Sequence, residues 1–460
     1  MKDEACMIET APLITKEVKV SEPYLAQFED FEKAVSGTSP AWLRTIRTAG
    51  IAHFAELGFP TTKHEEWRFT NVTPIAKFPF KPATRACHNG VAAAEIAPFT
   101  FGGMNCQRLV FINGHYSPEL SSLQPRADGV KISSLAAAFH SDAALIEPHL
   151  SRHARYDDNA FAALNTAFIQ DGAFIHLPAR AVVEEPIHLI FVASEPGLTI
   201  QPRNLILAEA GAQARIIEDY VSLVSTPTFT NAVTEIVLGE NAHVEHCKIQ
   251  RENETAFHVA HIEAKQARSS RLRSHSISVG ARIARNNIHL VLGGEGIDSI
   301  LNGLYLATGD QLVDHHTVAD HATARCNTHE FYHGVLSGRA RAVFNGKIFV
   351  RKDAQKTDAK QTNKNLLLSD EATIDTKPQL EIFADDVKCT HGATVGQLDE
   401  EAIFYLRSRG ISEAGARNML VHAFASDILN RITIDPVREE LDRLLFDQLE
   451  AQHNLAPSHV

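Results

Sequence analysis

The residue pair best suited to metal chemistry in this 460-residue chain is Cys389 and His391, in the segment KCTHGATVG at 388–396. If that segment is an extended strand, the two side chains point to the same side. A thiolate and an imidazole are good ligands for a transition metal. Two ligands do not close a tetrahedral site, so the others would have to come from elsewhere in the chain or from another subunit.

A second pattern, His329-Glu330-Phe331-Tyr332-His333, satisfies the H-E-x-x-H signature of zinc-dependent hydrolases. That chemistry needs both histidines on one face of a helix, one turn apart. The segment is rich in β-forming residues and is followed by Gly334, which favours a strand. On a strand the two histidines would lie about 13 Å apart, too far to share one ion. A zinc hydrolase is therefore kept only as an alternative.

Histidine is abundant, with 24 in the chain, and five lie at positions 315, 316, 321, 329 and 333. With Asp314 and Asp320 they could hold a transition metal if neighbouring strands brought them together. The simpler expectation is a set of polar ladders on a solvated sheet face.

Several classes of protein are disfavoured by composition. With 44 basic and 56 acidic residues the net charge is −12, which argues against binding to nucleic acid or to an anionic membrane surface. There is no G-x-x-x-x-G-K-[ST] loop, so we expect no ATP site of the chain's own. The six cysteines are scattered, and the N-terminus lacks a signal-peptide core, so we expect a cytoplasmic protein without a disulfide framework.

The elements that would position these residues change along the chain. Ser39-Pro40 is typical of a helix start, before apolar residues at helical spacing and a closing Gly58. From Ala173 to about Lys388, short β-branched runs alternate with Gly, Asn and Asp, which predicts either a solenoid or a sandwich. Asn345-Gly346 could be a hairpin turn in this region.

Helical signals return after Gly396. Asp399 can cap a helix over 400–409, Gly410 suits a left-handed position after it, and Ser412 can cap a second helix. Asp435-Pro436 opens a third. Three regions follow: an N-terminal helical region at 1–100, a β core at 101–388 and a C-terminal helical domain at 389–460.

Several motifs in the second half of the chain resemble the SufB/SufD family of iron-sulfur cluster assembly proteins. The resemblance is dense from about 320 to 432 and rests on VFNGKIFV at 343–350, DAQKTDA at 353–359, NLLLS at 365–369, KPQLEI at 377–382 and KCTHGATVG at 388–396. Two further motifs, EEWR at 65–68 and NAFAALN at 159–165, are similar to the SufD branch.

The resemblance implies a mainly β fold: a right-handed parallel β-helix flanked by N-terminal and C-terminal α-helical regions. It implies a scaffold without enzymatic activity that supports iron acquisition and cluster building. The partners would be a SufB-like paralogue, joined through the β-helices, and a SufC-like ABC ATPase. By position His391 inherits the family's cluster-building role, with Cys389 as the nearby thiol and a transient iron-sulfur cluster shared with the partner. In isolation the chain could form a homodimer.

The same resemblance implies that the ATPase docks on the C-terminal helices. The residues expected to contact it are Asp399, Phe404, Tyr405, Leu406, Arg407, Arg409, Gly410, Leu420 and Phe424. Besides the zinc hydrolase, a β-helical carbohydrate-active enzyme is the remaining alternative. That class would be expected to carry a secretory signal.

Overall fold

The computed structural model describes residues 22–84 and 90–455, with the backbone alone for 450–455. Cys6, Cys87 and the N-terminal segment in which a signal peptide would lie are outside the described residues. So is the first part of the predicted 1–100 region.

The described α-helices lie toward the two ends of the chain, up to residue 167 and from residue 400 onward, and most strands lie between them. The α-helices are α1 (Glu22–Val35), α2 (Ala41–Leu57), α3 (Thr73–Lys77), α4 (Ala93–Ile96), α5 (Leu135–Ser141), α6 (Ala143–Ile146), α7 (Ala160–Ala167), α8 (Glu400–Ser408), α9 (Glu413–Leu429) and α10 (Asp435–Leu455), with short 3-10 helices at Glu65–Trp67 and Ala97–Phe99. The strands are β1 (Lys81–Pro82), β2 (Gln107–Ile112), β3 (His115–Tyr116), β4 (Lys131–Ser134), β5 (Ala173–Leu177), β6 (Ile187–Ala193), β7 (Leu198–Ile200), β8 (Arg203–Ala208), β9 (Gln213–Ser222), β10 (Phe229–Leu238), β11 (His243–Arg251), β12 (Phe257–Gln266), β13 (Arg271–Ser278), β14 (Ile283–Leu292), β15 (Asp298–Ala307), β16 (Leu312–His321), β17 (Asn327–Leu336), β18 (Arg341–Val350), β19 (Asp358–Leu367), β20 (Thr373–Ile382) and β21 (Lys388–Gly396).

The strands form two sheets whose pairs are parallel, except for the antiparallel pairs β2–β3 and β4–β5. Sheet 1 has the order β20-β18-β16-β14-β12-β10-β8-β5-β4, and sheet 2 has the order β21-β19-β17-β15-β13-β11-β9-β6-β2-β3. Each coil therefore contributes one strand to each sheet. Register pairs such as Arg271 with Asp298 and Arg341 with Thr373 show that one coil takes 27 to 32 residues. The predicted mainly β fold, a parallel β-helix with helices at both ends of the chain, is confirmed.

This arrangement decides between the two β architectures left open by the sequence. Parallel pairing of strands about one coil apart is a solenoid, and a sandwich would need antiparallel pairs. Asn345-Gly346 lies inside β18 and is not a hairpin turn. Its neighbours continue the parallel register with β16 and β20, which leaves no room for a reversal of the chain.

Side chains along each strand alternate between the interior of the solenoid and its outer faces. The interior holds the main apolar core, with Leu, Ile, Val and Ala contributed by both sheets. The N-terminal helices cover part of the outer face of sheet 1, where Phe54 and Phe161 pack with Phe229 and Phe257. The C-terminal helices cover part of sheet 2.

Helix ends largely follow the predicted capping residues. The Asp399 side chain accepts hydrogen bonds from two backbone N–H groups of α8, and the Ser412 hydroxyl accepts one from Gly415 at 3.1 Å. Gly410 has the left-handed φ of 86°. Ser39 is not the cap of α2, since its hydroxyl accepts from the Arg47 guanidinium at 3.0 Å and Pro40 holds the cap position.

The solenoid extends beyond the region predicted for it. Strand β21 pairs in register with β19 as far as Gly396, so the predicted boundary between 388 and 389 falls within the last coil. The helical domain begins only at Asp399. Among the described residues, no helix combines the length and the apolar character needed to cross a bilayer.

Candidate functional site

The last coil leaves two free strand edges. In the part of the chain that the structure describes, β20 pairs only with β18, and β21 pairs only with β19. Ile382, Phe383 and Val395 are exposed beside these edges. A parallel sheet that ends without a cover presents unpaired backbone N–H and C=O groups, which are a template for another strand. The free edges of β20 and β21 are therefore available for pairing with another strand.

Cys389 and His391 lie on β21 at this open end. Their partners in register on β19 are Ala359 and Gln361, both buried residues of the row that lines the interior. The two side chains therefore continue the interior row and share one side of the strand, as alternation predicts. Among the described residues, His391 is exposed and makes no side-chain hydrogen bond or ion pair, so its ring is available to a ligand.

Cys389 differs from the other cysteines that the structure describes. Cys106, Cys247 and Cys326 are buried, whereas Cys389 is half-buried. Partial burial, aided by the Asp358 carboxylate, raises the pKa of the Cys389 thiol. The thiol therefore keeps its proton near neutral pH until a metal displaces it.

The interior row of sheet 2 continues from His391 to two further polar residues, Gln361 and Glu330, on the two preceding coils. No local sequence motif indicates that these residues lie in register with His391. Glu330 is fully buried, and its Oε2 accepts from the Thr317 hydroxyl at 2.7 Å and from Gln361 Nε2 at 3.1 Å. Burial raises the pKa of Glu330 to about 7. The signal that could have revealed this stack is the 30-residue separation of Gln361 and His391, which matches one coil.

The H-E-x-x-H pattern is not a metal site. It lies on β17, where Glu330 points into the interior while His329 and His333 belong to the outward row. His333 Nδ1 bonds the backbone carbonyl of Phe424 on α9 at 3.0 Å, and its ring stacks on that phenyl ring. Strand alternation places the glutamate and the histidines on opposite sides of the sheet, so the zinc-hydrolase alternative is wrong.

The histidines at 315, 316 and 321 do not form a solvated ladder. His315 and His321 are buried in the interior, where burial lowers their pKa values to about 3 and about 4. His316 faces outward but is covered by the N-terminal region, between Asp314 at 3.1 Å and Glu66 at 3.2 Å. Within 22–84 and 90–449, no three His, Cys, Asp or Glu side chains are grouped to hold a metal ion.

The residues predicted to dock an ATPase fall into two groups. Asp399, Phe404, Tyr405, Arg407, Arg409 and Gly410 are exposed on or beside α8. Phe404 and Tyr405 are 74% and 56% exposed, unusual values for aromatic side chains. Leu406, Leu420 and Phe424 are half-buried against the core of the helical domain, so packing within the chain already accounts for them.

The fold and the site together define a β-solenoid protein that carries a thiol and an imidazole on one side of its last strand, at its open end. Comparison with known families agrees: residues 191–424 match the SUF system FeS cluster assembly, SufBD core domain, and residues 18–189 match the SufBD protein N-terminal region. The chain belongs to the SufBD family of iron-sulfur cluster assembly proteins, as its motifs predict.

Individual relatives support the same assignment along most of the chain. An iron-sulfur cluster assembly SufBD family protein of Synechocystis is 35% identical, covering 88% of this chain and 91% of that protein. The iron-sulfur cluster assembly protein SufD of Escherichia coli is 33% identical over 84% of this chain and 88% of its own length. SufD of Bacillus subtilis is 25% identical over 92% of this chain and 97% of its own length. Iron-sulfur cluster assembly is thus the process this chain serves, and family membership favours it over the carbohydrate-enzyme alternative.

Proposed function

We propose that this chain is a SufD-type scaffold subunit without ATPase or other enzymatic activity of its own. It would work in a complex with a SufB-like paralogue and a SufC-like ABC ATPase, supporting iron acquisition and cluster building at the junction of the two solenoids. The observation that carries the proposal is the position of His391 and Cys389 beside the free edges of β20 and β21.

The free edges support pairing between solenoids. A partner that adds strands to β20 and β21 would satisfy their unpaired backbone groups and cover Phe383 and Val395. It would also bring ligands next to Cys389 and His391, which is what a two-ligand site requires. A SufB-like paralogue is the proposed occupant, and a second copy of this chain could use the same edges in isolation.

At this junction the iron-sulfur cluster is cargo. The neutral imidazole of His391 and the thiolate of Cys389 are the forms that bind iron, so loading displaces the thiol proton. Because the pKa of Cys389 is raised, loading should be weaker at acidic pH than for an ordinary thiol. The cluster would leave when the junction opens and the partner's ligands separate from this pair.

The exposed aromatic side chains of α8 support docking of an ATPase. Phe404 and Tyr405 form an apolar surface on a helix whose other face is packed against α9. Helix α9 in turn contacts β17 through His333, and the Arg431 guanidinium lies 3.9 Å from the centre of the Phe331 ring. A movement of docked ATPase subunits could therefore reach the solenoid two coils before the open end.

The cluster site is tested in the co-expressed complex of the three subunits, purified without oxygen. We expect His391→Ala to lower iron and acid-labile sulfide on the complex at least several-fold, and Cys389→Ser to lower them as well. His329→Ala is the matched control, since this imidazole lies on the outward row, away from the open end. Unchanged cluster content in His391→Ala would contradict the proposal.

ATPase docking is tested by replacing Phe404 and Tyr405 together with alanine. We expect the purified double variant to keep its thermal midpoint, because both side chains are exposed, and to lose most of its affinity for the purified ATPase in calorimetry. Leu123→Ala removes an exposed apolar side chain outside the helical domain and should change nothing. Equal affinity in the double variant would exclude this surface.

A further inference from the structure

Three residues on successive coils form one row on the inner face of sheet 2. Glu330 on β17 is the register partner of Gln361 on β19, and Gln361 is the register partner of His391 on β21. Adjacent strands lie about 4.8 Å apart, so each side chain in the row is stacked on the next. The row runs from a buried carboxyl group to the exposed imidazole of the proposed cluster site.

Gln361, the middle residue of this row, has a hydrogen-bond partner for its amide nitrogen but not for its amide oxygen. Gln361 is 1% exposed, and its Nε2 donates to Glu330 Oε2 at 3.1 Å. Its Oε1 is buried and has no hydrogen-bond partner among the described residues. Buried amide oxygens are rarely left without a donor, because desolvation is costly when no hydrogen bond replaces water.

The residues around the Gln361 side chain fix the position of its amide group. Gly346 on β18 lies opposite, and a Cβ atom there would come within 2.1 Å of Gln361 Nε2. Glycine at this position therefore leaves the space that the amide group occupies. The amide nitrogen is committed to Glu330, which in turn is bonded by the Thr317 hydroxyl. The orientation that remains leaves the carbonyl oxygen as the free acceptor of the group.

His391 is the residue that can complete this arrangement. It is the next side chain in the row toward solvent, and its ring makes no hydrogen bond in the described part of the chain. A histidine that binds a metal usually donates its second ring N–H to a carbonyl or carboxylate, which fixes the tautomer and the orientation of the ring. A buried, unpartnered carbonyl in register with an exposed imidazole fits that pairing.

We propose that Gln361 is a positioning residue for His391, accepting one ring N–H at its free amide oxygen so that the other nitrogen is presented to iron. Glu330 holds the Gln361 amide in place by accepting a hydrogen bond from its nitrogen, and it does not contact the metal. This inference rests on the proposed function of His391. It assigns to the interior of the last coils a role in orienting the ligand, in addition to packing.

The direct test is the tautomer of His391 in the isolated full-length chain, without metal. The protein is labelled with ¹³C-histidine, and the His391 signal is assigned from its absence in His391→Gln. The Cδ2 chemical shift reports which ring nitrogen carries the proton. We expect a single neutral tautomer in the unmodified chain and, in Gln361→Leu, a shift toward the averaged value of free histidine.

Asn363→Leu is the matched control. Asn363 lies on the same strand, is equally buried and makes three side-chain hydrogen bonds, but its register partner is Ala393. The Asn363→Leu variant should therefore leave the Cδ2 chemical shift of His391 unchanged. Gly346→Ala is a second route to the same change, because the added methyl group must displace the Gln361 amide without deleting it. If Gln361→Leu does not fold, Gly346→Ala decides the question.

Cluster content on the assembled complex separates this inference from the proposed function. Loss of the group that orients a metal-binding histidine typically weakens metal binding about 10- to 100-fold. We therefore expect the iron affinity of the complex to fall about 10-fold or more in Gln361→Leu, and to stay nearly unchanged in Asn363→Leu. An averaged tautomer in the unmodified chain, or no shift in Gln361→Leu and Gly346→Ala, would overturn the positioning role even if His391→Ala abolishes loading. Full loading in His391→Ala would instead overturn the proposed function.

Discussion

Arg203 and Glu235 form an ion pair of 2.7 Å in which neither side chain is exposed to solvent. The carboxylate of Glu235 also accepts hydrogen bonds from the backbone N–H groups of Ser151, His153 and Ala154. One buried anion therefore joins two successive strands of sheet 1 to the turn that precedes α7. It anchors the N-terminal region to the solenoid.

Removing the cation of this pair should destabilise the protein strongly. In Arg203→Met the carboxylate of Glu235 stays buried without its partner, a change that costs about 3 to 5 kcal/mol in the free energy of unfolding. Arg339→Met is the control, since the Arg339–Asp310 pair is exposed and should contribute nothing measurable. Urea unfolding followed by circular dichroism compares the two, and equal midpoints would refute the anchoring role.

The same ion pair should make the free energy of unfolding depend on pH in the acidic range. Burial disfavours the charged form of Glu235, but Arg203 and the backbone N–H groups outweigh it and hold the pKa below its ordinary value of 4.5. The stabilisation is therefore complete above that value and is lost as the pH falls through the lowered pKa of the folded state. In Glu235→Gln this part of the acid dependence should disappear, as measured by thermal midpoints between about pH 5 and pH 3. A midpoint that falls as steeply as in the unmodified chain would contradict this assignment.

A glycine inside β15 makes room for an interior aromatic ring. A Cβ atom at Gly303 would lie 2.1 Å from the Tyr332 ring, which is fully buried. Gly303→Ala should therefore cost about 1 to 3 kcal/mol through overpacking. Gly396→Ala is the matched control, because nothing lies within 4 Å of its Cβ position. A thermal midpoint for Gly303→Ala as high as for Gly396→Ala would show that the tyrosine can move aside freely.

The Cys389 thiol should react slowly with alkylating agents near neutral pH. Burial and the Asp358 carboxylate raise its pKa, and only the thiolate is nucleophilic. Asp358→Asn removes the nearby negative charge and should raise the rate of iodoacetamide labelling at Cys389 several-fold near neutral pH, measured by peptide mass spectrometry. Asp353→Asn, a change of the same kind elsewhere on the chain, should leave the rate as it was. Equal rates in Asp358→Asn and the unmodified chain would mean that this carboxylate does not control the thiol.

Local chemistry was enough to predict several features. Asp399, Gly410 and Ser412 act at helix ends through groups within a few residues, so their roles can be read from the neighbouring sequence. The common side of Cys389 and His391 follows from strand alternation alone. The parallel β-helix was predicted from the family motifs, because the hydrophobic pattern alone did not decide between a solenoid and a sandwich.

Tertiary structure decided which strands lie side by side and which faces are covered. Gln361 lies in register with His391 only because a coil of 30 residues places their strands side by side, and no local pattern encodes that separation. The same packing buries His315, turns Glu330 inward and leaves His333 against α9. The sequence by itself determined local conformation and chemical type. Burial and contacts between coils depend on all the segments packed around a residue, so they were determined only by the folded chain.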